Sequence, residues 1–317
     1  AAMYPRSDFL DGFQYSQALA DFHLGRYDEA VTLAEAIAKA TYKDAAGADV
    51  PSPNKWQAVF ILGQIFDARR MPAKALEYYR QAADQFTDAG DAVAYYTRKS
   101  LKVDEITVVR PPAEPVADDK ARIKLTYRNI AKVDVTVHPV DLMQLYLARR
   151  NLDAVAGVDL AGITPLVEQS IPLGTGDDYE DREKTIDLPL TKNGAYLVMI
   201  RGGDVYASGV VLVTPLEVDV LEEEAAGRLR AVVRDARTKA PASRVQVKVV
   251  GSADSEFRTG ETDLRGVFAA EGLHGQATVV VRKGTSEYAF HRGKAYLGPQ
   301  PQPLSAHGLQ MQQGQGK

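Results

Sequence analysis

Thr262-Asp263-Leu264-Arg265-Gly266-Val267-Phe268 is the stretch on which the reading of this chain turns. An Asp side chain folds back on backbone amides one to four residues ahead, and a Gly accepts positive φ without strain. Set between valine-rich runs, the pair predicts a tight hairpin that needs no ligand to explain it. Working outward, short apolar runs recur every 10 to 15 residues at 217–221, 228–235, 243–250, 266–270, 277–282 and 287–291. Regular short strands separated by turn residues predict a two-sheet β-sandwich over 216–292.

Upstream, the same alternation of apolar and polar residues predicts strands at 122–128, 133–138, 185–190, 194–200 and 206–213. Asn129 suits the first turn, and Asn193-Gly194 and Gly202-Gly203 read as hairpin turns. Residues 148–160 have helical spacing. These elements predict a second sandwich over 119–215. Before it, Pro111-Pro112-Ala113-Glu114-Pro115 reads as a stiff linker, assigned to 106–118.

Residues 1–105 follow a 3.6-residue period instead. Phe13 to Leu24 and Asp28 to Ala40 flank the turn Gly25-Arg26-Tyr27, and Leu62-Gly63, Phe66, Ala75, Tyr79 and Ala82 repeat the plan 45 residues later. Small and large residues at those places resemble tetratricopeptide repeats, with 45–54 as an insertion and a capping helix over 91–101. That resemblance implies a peptide-binding groove lined by the first helix of each hairpin. Aligned residue by residue, the groove positions are Tyr15, Leu19, Phe22 and His23 in one unit and Gln57, Phe60, Gln64 and Asp67 in the other. The competing reading is a spacer, because aromatics at helical spacing usually pack a core.

Tyr127-Arg128-Asn129 with Val140-Asp141-Leu142, and the run from Val233 to Ala242, resemble the macroglobulin-like modules of the bacterial alpha-2-macroglobulin family. In the latter run Ala240 takes the place where Gly is commonest. The fold class expected is therefore multi-domain, α then all-β: tetratricopeptide-like helical hairpins followed by two immunoglobulin- or macroglobulin-like β-sandwiches. The resemblance implies a periplasmic, cell-surface or secreted location and a protein partner. It also implies a scaffold or protein–protein interaction segment of a larger envelope protein, and the chain's Ala1-Ala2 opening and polar end fit a piece of something longer.

Composition narrows the chemistry. The chain has 317 residues, 45% hydrophobic and 25% charged, enough for three globular units, and a net charge of −4 offers no field for nucleic acid. It has no cysteine, so disulfides, thiolate metal sites and the Cys-Gly-Glu-Gln thioester by which some alpha-2-macroglobulins trap proteases are excluded. No apolar run reaches membrane-span length, and the N-terminus carries no signal-peptide pattern. Asp177, Asp178, Glu180, Asp181 and Glu183 gather in one loop, but without the spacing of a calcium loop and with Arg182 and Lys184 interleaved. His23, His138, His274, His291 and His307 have no metal-ligand spacing. No nucleophile elbow, phosphate loop or dinucleotide fingerprint is present. The sequence thus predicts no enzyme, no cofactor and no metal site. The rival readings are a hydrolase built on the acidic loop or the histidines, and a carbohydrate-binding or adhesion sandwich. The last lacks a tryptophan on a strand, since Trp56 lies in the helical region. Residues 293–317, rich in Gln, Gly and Pro, read as a disordered tail.

Overall fold

Apolar residues at 3.6-residue spacing fold the N-terminal third into α1 (Leu10–His23), α2 (Tyr27–Lys39), α3 (Lys55–Ala68), α4 (Pro72–Ala82) and α5 (Thr87–Thr97). These come from a computed structural model that describes residues 10–43, 46–111, 121–149 and 164–298. The hairpins α1–α2 and α3–α4 share one plan. Gly63 allows α3 and α4 to approach closely, since a Cβ there would lie 2.7 Å from the Tyr79 ring. The insertion between the hairpins forms the ribbon β1 (Thr41–Lys43) and β2 (Asp49–Pro51). Asp11 ties it to α1: the carboxylate accepts from the Ser52 hydroxyl at 2.7 Å and the Asn54 amide at 3.0 Å. Burial alone would raise the Asp11 pKa, but these hydrogen bonds outweigh it and hold the group below its usual value. The helix expected over 91–101 stands four residues earlier, as α5, and strand begins at Ser100.

The first sandwich contains β3 (Ser100–Val103), β4 (Ile106–Val109), β5 (Ala121–Arg128), β6 (Lys132–Val140), β7 (Val167–Pro172), β8 (Arg182–Leu188), β9 (Gly194–Gly202) and β10 (Val205–Val213), with α6 (Leu142–Arg149) after β6. One sheet runs β3-β5-β8 and the other β4-β10-β9-β6-β7, with β4 parallel to β10. Ile123, Leu125, Val133, Val135, Val198 and Ile200 lie in the core between them. The division expected at residue 105 passes between β3 and β4. Both are sandwich strands, so the Pro-rich segment after them connects two strands of one unit. Each is only four residues long, too short for a period to be read, and the first overlaps the helix expected over 91–101.

The second sandwich contains β11 (Leu216–Glu223), β12 (Arg228–Asp235), β13 (Gln246–Gly251), β14 (Arg258–Glu261), β15 (Val267–Ala270), β16 (Gly275–Lys283) and β17 (Glu287–Leu297). Its sheets are β11-β12-β15 and β14-β13-β16-β17. Val233, Val247, Val249, Val279 and Val281 fill its core. Strand β17 carries on to Leu297, six residues beyond the strand expected over 287–291, so 293–297 of the expected tail are strand; the tail from 299 lies outside the described residues, as do 150–160 of the helically spaced stretch.

Turn chemistry was read correctly, but strand pairing was not always what it implied. Gly202-Gly203 closes a true hairpin between β9 and β10. The Thr262–Phe268 stretch instead leads from β14 in one sheet to β15 in the other. Asp263 does fold back, accepting from the amides of Arg265 (2.9 Å) and Val267 (2.8 Å). Thr262 on one side bonds Ala242 and Val245, while on the other the Gly266 carbonyl accepts from Val233. Those anchors carry the chain across the core. Asn193-Gly194 likewise precedes a change of sheet, from β8 to β9. In the Val233–Ala242 run the left-handed position is Lys239 (φ 59°), next to Ala240; Asp235 accepts from the amides of Arg237 and Thr238 there.

Candidate functional site

The groove positions fall on α1 and α3 as the repeat alignment places them. Tyr15, Leu19 and Phe22 are half-buried against the helical core, and His23 at the end of α1 is exposed. Gln57, Phe60 and Gln64 are half-buried, and Asp67 is exposed. The two sets have different company. Phe22 meets His23 and Tyr27, with ring centroids 5.3 and 6.2 Å apart. Phe60 stacks on Phe86 at 5.0 Å and tilts against Tyr79 at 6.0 Å. Asp67 accepts from the hydroxyls of Tyr79 and Tyr96, drawing α3, α4 and α5 together. Burial, reinforced by the Asp67 charge, pushes both phenols well above their ordinary range, so both stay protonated near neutrality and keep donating to Asp67. Among the described residues no hydrogen bond or ring contact joins the α1 set to the α3 set.

The residues most heavily engaged lie at the two joints. Arg128, buried at the end of β5, sets its guanidinium 4.0 Å from the Tyr95 ring of α5 and lies 3.6 Å from Asp181. Asn129 follows with φ 55°; its amide group donates to the carbonyls of Tyr96 (2.6 Å) and Arg98, and its side-chain oxygen accepts from Tyr179. Tyr127 donates to Leu173 across the sandwich. Lys99 reaches Asp204 at 2.5 Å. Tyr127-Arg128-Asn129 therefore fastens the helical unit and the acidic loop to the first sandwich. Within that loop the carboxylates diverge toward separate cations, Asp178 to Arg182, Asp181 to Arg128 and Glu183 to Lys124. Among the described residues no three His, Asp or Glu side chains are placed to hold a metal.

The other joint lies between the sandwiches. Asp141 caps α6 by accepting from Met143 and Gln144, and its second oxygen meets Arg282 of β16 at 3.0 Å. Leu142, Met143 and Tyr146 of α6, Leu197 of β9, Leu212 of β10, and Val250, Val280 and Tyr288 of the second sandwich form one buried apolar cluster. Tyr146 meets Phe257 and Phe290 edge-on at 6.3 and 6.1 Å. Arg292 pairs with Glu105 at 2.8 Å, and Arg110 donates to the carbonyls of Thr214 and Leu216. The sequence carried a signal for this seam. Ala195 to Ile200 and Val210 to Val213 are unbroken apolar runs in an antiparallel sheet, which requires both faces to be covered.

The histidines stay apart. His138 is buried, His291 is half-buried with its pKa lowered by burial against the pull of Glu222 and Asp219, and His274 bonds Asp254 at 2.9 Å. His307 lies outside the described residues.

No family model matches the chain, and no curated protein is similar to it in sequence. Similar solved structures include bacterial alpha-2-macroglobulins and segments of them. Native alpha-2-macroglobulin from Escherichia coli spanning domains MG0-NIE-MG1 is 14% identical over 61% of this chain, with a TM-score of 0.45. The likeness covers 64% of that segment, short of two thirds of it. The same protein's NIE-MG1 segment is 15% identical with a TM-score of 0.43, over 62% of this chain and 97% of that one. A Salmonella alpha-2-macroglobulin variant is 13% identical with a TM-score of 0.42, over 61% of this chain and 12% of that one.

Proposed function

We propose that this chain is a non-enzymatic scaffold segment of a bacterial alpha-2-macroglobulin-like envelope protein, holding a helical protein-binding unit in fixed relation to two sandwiches. The observation that carries the proposal is the use made of Tyr127-Arg128-Asn129 and Val140-Asp141-Leu142. The side chains most distinctive of the family resemblance are spent on joints between units, and not on an open constellation of nucleophile, base and orienting group. A buried apolar seam with ion pairs at its edges suits a part that must hold its shape under load. The resemblance implies a periplasmic, cell-surface or secreted setting.

On this reading the tetratricopeptide-like groove is the contact for a protein partner, with Tyr15, Leu19, Phe22, His23, Gln57 and Gln64 as its accessible positions. Phe60, half-buried, and Asp67, exposed, line it as well while holding Phe86, Tyr79 and Tyr96. The test is capture of binding partners from an envelope extract by the intact chain and by Gln64→Arg, which adds bulk and charge at a half-exposed position. Loss of a captured protein at unchanged thermal stability is expected. Capture that survives the change and follows residues 216–292 instead would make the helical unit a spacer.

A further inference from the structure

A cavity of about 590 Å³ opens at one end of the first sandwich, beside the joint with the helical unit: Asn129, which bonds the Tyr96 and Arg98 carbonyls, is part of its wall. The β5–β6 turn, the loop at Gly176 and the β9–β10 hairpin at Gly203 surround it, and buried Ile130 lines it. Three cations come to it from separate places, Lys99 from the link after α5, Lys132 from β6 and Arg201 from β9. Two carboxylates offset them in part, Asp204 at Lys99 and Asp134 at Lys132. Three positive charges against two negative leave one in excess. Arg201 is the cation left over. Asp134 stands opposite it in the sheet but binds the Ser170 hydroxyl at 2.8 Å and Lys132 at 3.3 Å instead. The Nε of Arg201 donates to the Gly203 carbonyl at 3.1 Å, and its guanidinium lies 5.6 Å from the Tyr206 ring. These contacts orient the guanidinium and leave its two Nη groups without a hydrogen-bond partner among the described residues.

We propose that this cavity binds a single carboxylate borne by a peptide, at its C-terminus or on an Asp or Glu side chain, with the Nη pair of Arg201 as the principal contact and Lys99 and Lys132 supplying the surrounding positive field. The forked donor pair of a guanidinium matches the two oxygens of a carboxylate, and its orientation is already fixed before a ligand arrives. One excess positive charge balances one carboxylate. A phosphate, carrying close to two negative charges, would leave part of its charge unmatched beside Asp134 and Asp204. The volume lies within the roughly 300 to 1,000 Å³ of pockets that take small ligands, larger than a carboxylate alone would fill, and Ile130 offers apolar contact to the residue that bears it. The site is separate from the groove on α1 and α3 and does not depend on it.

The test titrates the intact, isotope-labelled chain with three short peptides and follows the amide resonances of Gly176 and Gly203. The peptides are acetyl-Gly-Gly-Gly with a free C-terminal carboxylate, acetyl-Gly-Gly-Glu-amide, and acetyl-Gly-Gly-Gln-amide as the neutral control. Saturable shifts in the millimolar range are expected with a charged peptide and not with the neutral one; which of the two charged peptides binds tells whether the carboxylate is a chain end or a side chain. Arg201→Gln, at an exposed position, should weaken binding about tenfold without changing the melting temperature. Asp204→Asn, also exposed, frees Lys99 and should tighten it. Absence of saturable shifts with both charged peptides, equal shifts with the neutral one, tighter binding of inorganic phosphate, or Arg201→Gln binding as well as the parent would each overturn the proposal. No partner from the envelope extract enters these measurements, so their failure leaves the groove test separately decidable.

Discussion

At Gly266 the backbone takes φ 75°, and a Cβ there would run into the carbonyl of Val233. Both faults act on the crossover between sheets, so Gly266→Val is expected to destabilise the second sandwich by about 3 kcal/mol or more in urea unfolding. Asp263 works differently. Hydrogen bonds from Val267 first, then from Arg265, hold its carboxyl below the ordinary value of 3.8. A depressed folded-state pKa adds stability above pH 3.8 that is lost as the pH falls below it. The stability gap between the parent and Asp263→Asn should therefore be largest near neutrality and shrink on acidification below that value. A gap that stays constant with pH would show that the carboxylate charge plays no part in the turn.

At the scale of elements, β3 and β4 decide where one unit ends. They are hydrogen-bonded into the two sheets of the first sandwich, although both precede the Pro-rich segment. A protease site placed within 112–119 should consequently yield two fragments that stay together on size-exclusion chromatography under native conditions and part only in denaturant. Fragments that separate without denaturant would mean that the strands do not bind their sheets. Individual turns and strands were legible in the sequence because their causes are local: Asp263 reaches its own next residues, and β12 alternates along its length. Which sheet a strand joins was not legible, because Thr262 finds Ala242 and Asn129 finds Tyr96 only after the chain has folded. The placing of Tyr15, Phe22, Phe60 and Asp67 on α1 and α3 could be read from small residues at hairpin spacing. The engagement of Phe60 and Asp67 could not, since it depends on Phe86, Tyr79 and Tyr96 arriving from other elements.

At the scale of the molecule, we propose that the helical unit and the two sandwiches behave as one body. Tyr146→Ala, at the centre of the seam, should cost about 3 kcal/mol and loosen the second sandwich from the first. Asn129→Ala should free the helical unit by removing its bonds to Tyr96 and Arg98. The most direct measurement is the distance distribution between spin labels at Glu77→Cys on α4 and Leu264→Cys in the second sandwich, both exposed sites in a chain with no native cysteine. A single narrow peak is expected for the parent, broadened by either Asn129→Ala or Tyr146→Ala. A broad or multiple distribution in the parent itself, unaltered by those changes, would contradict it.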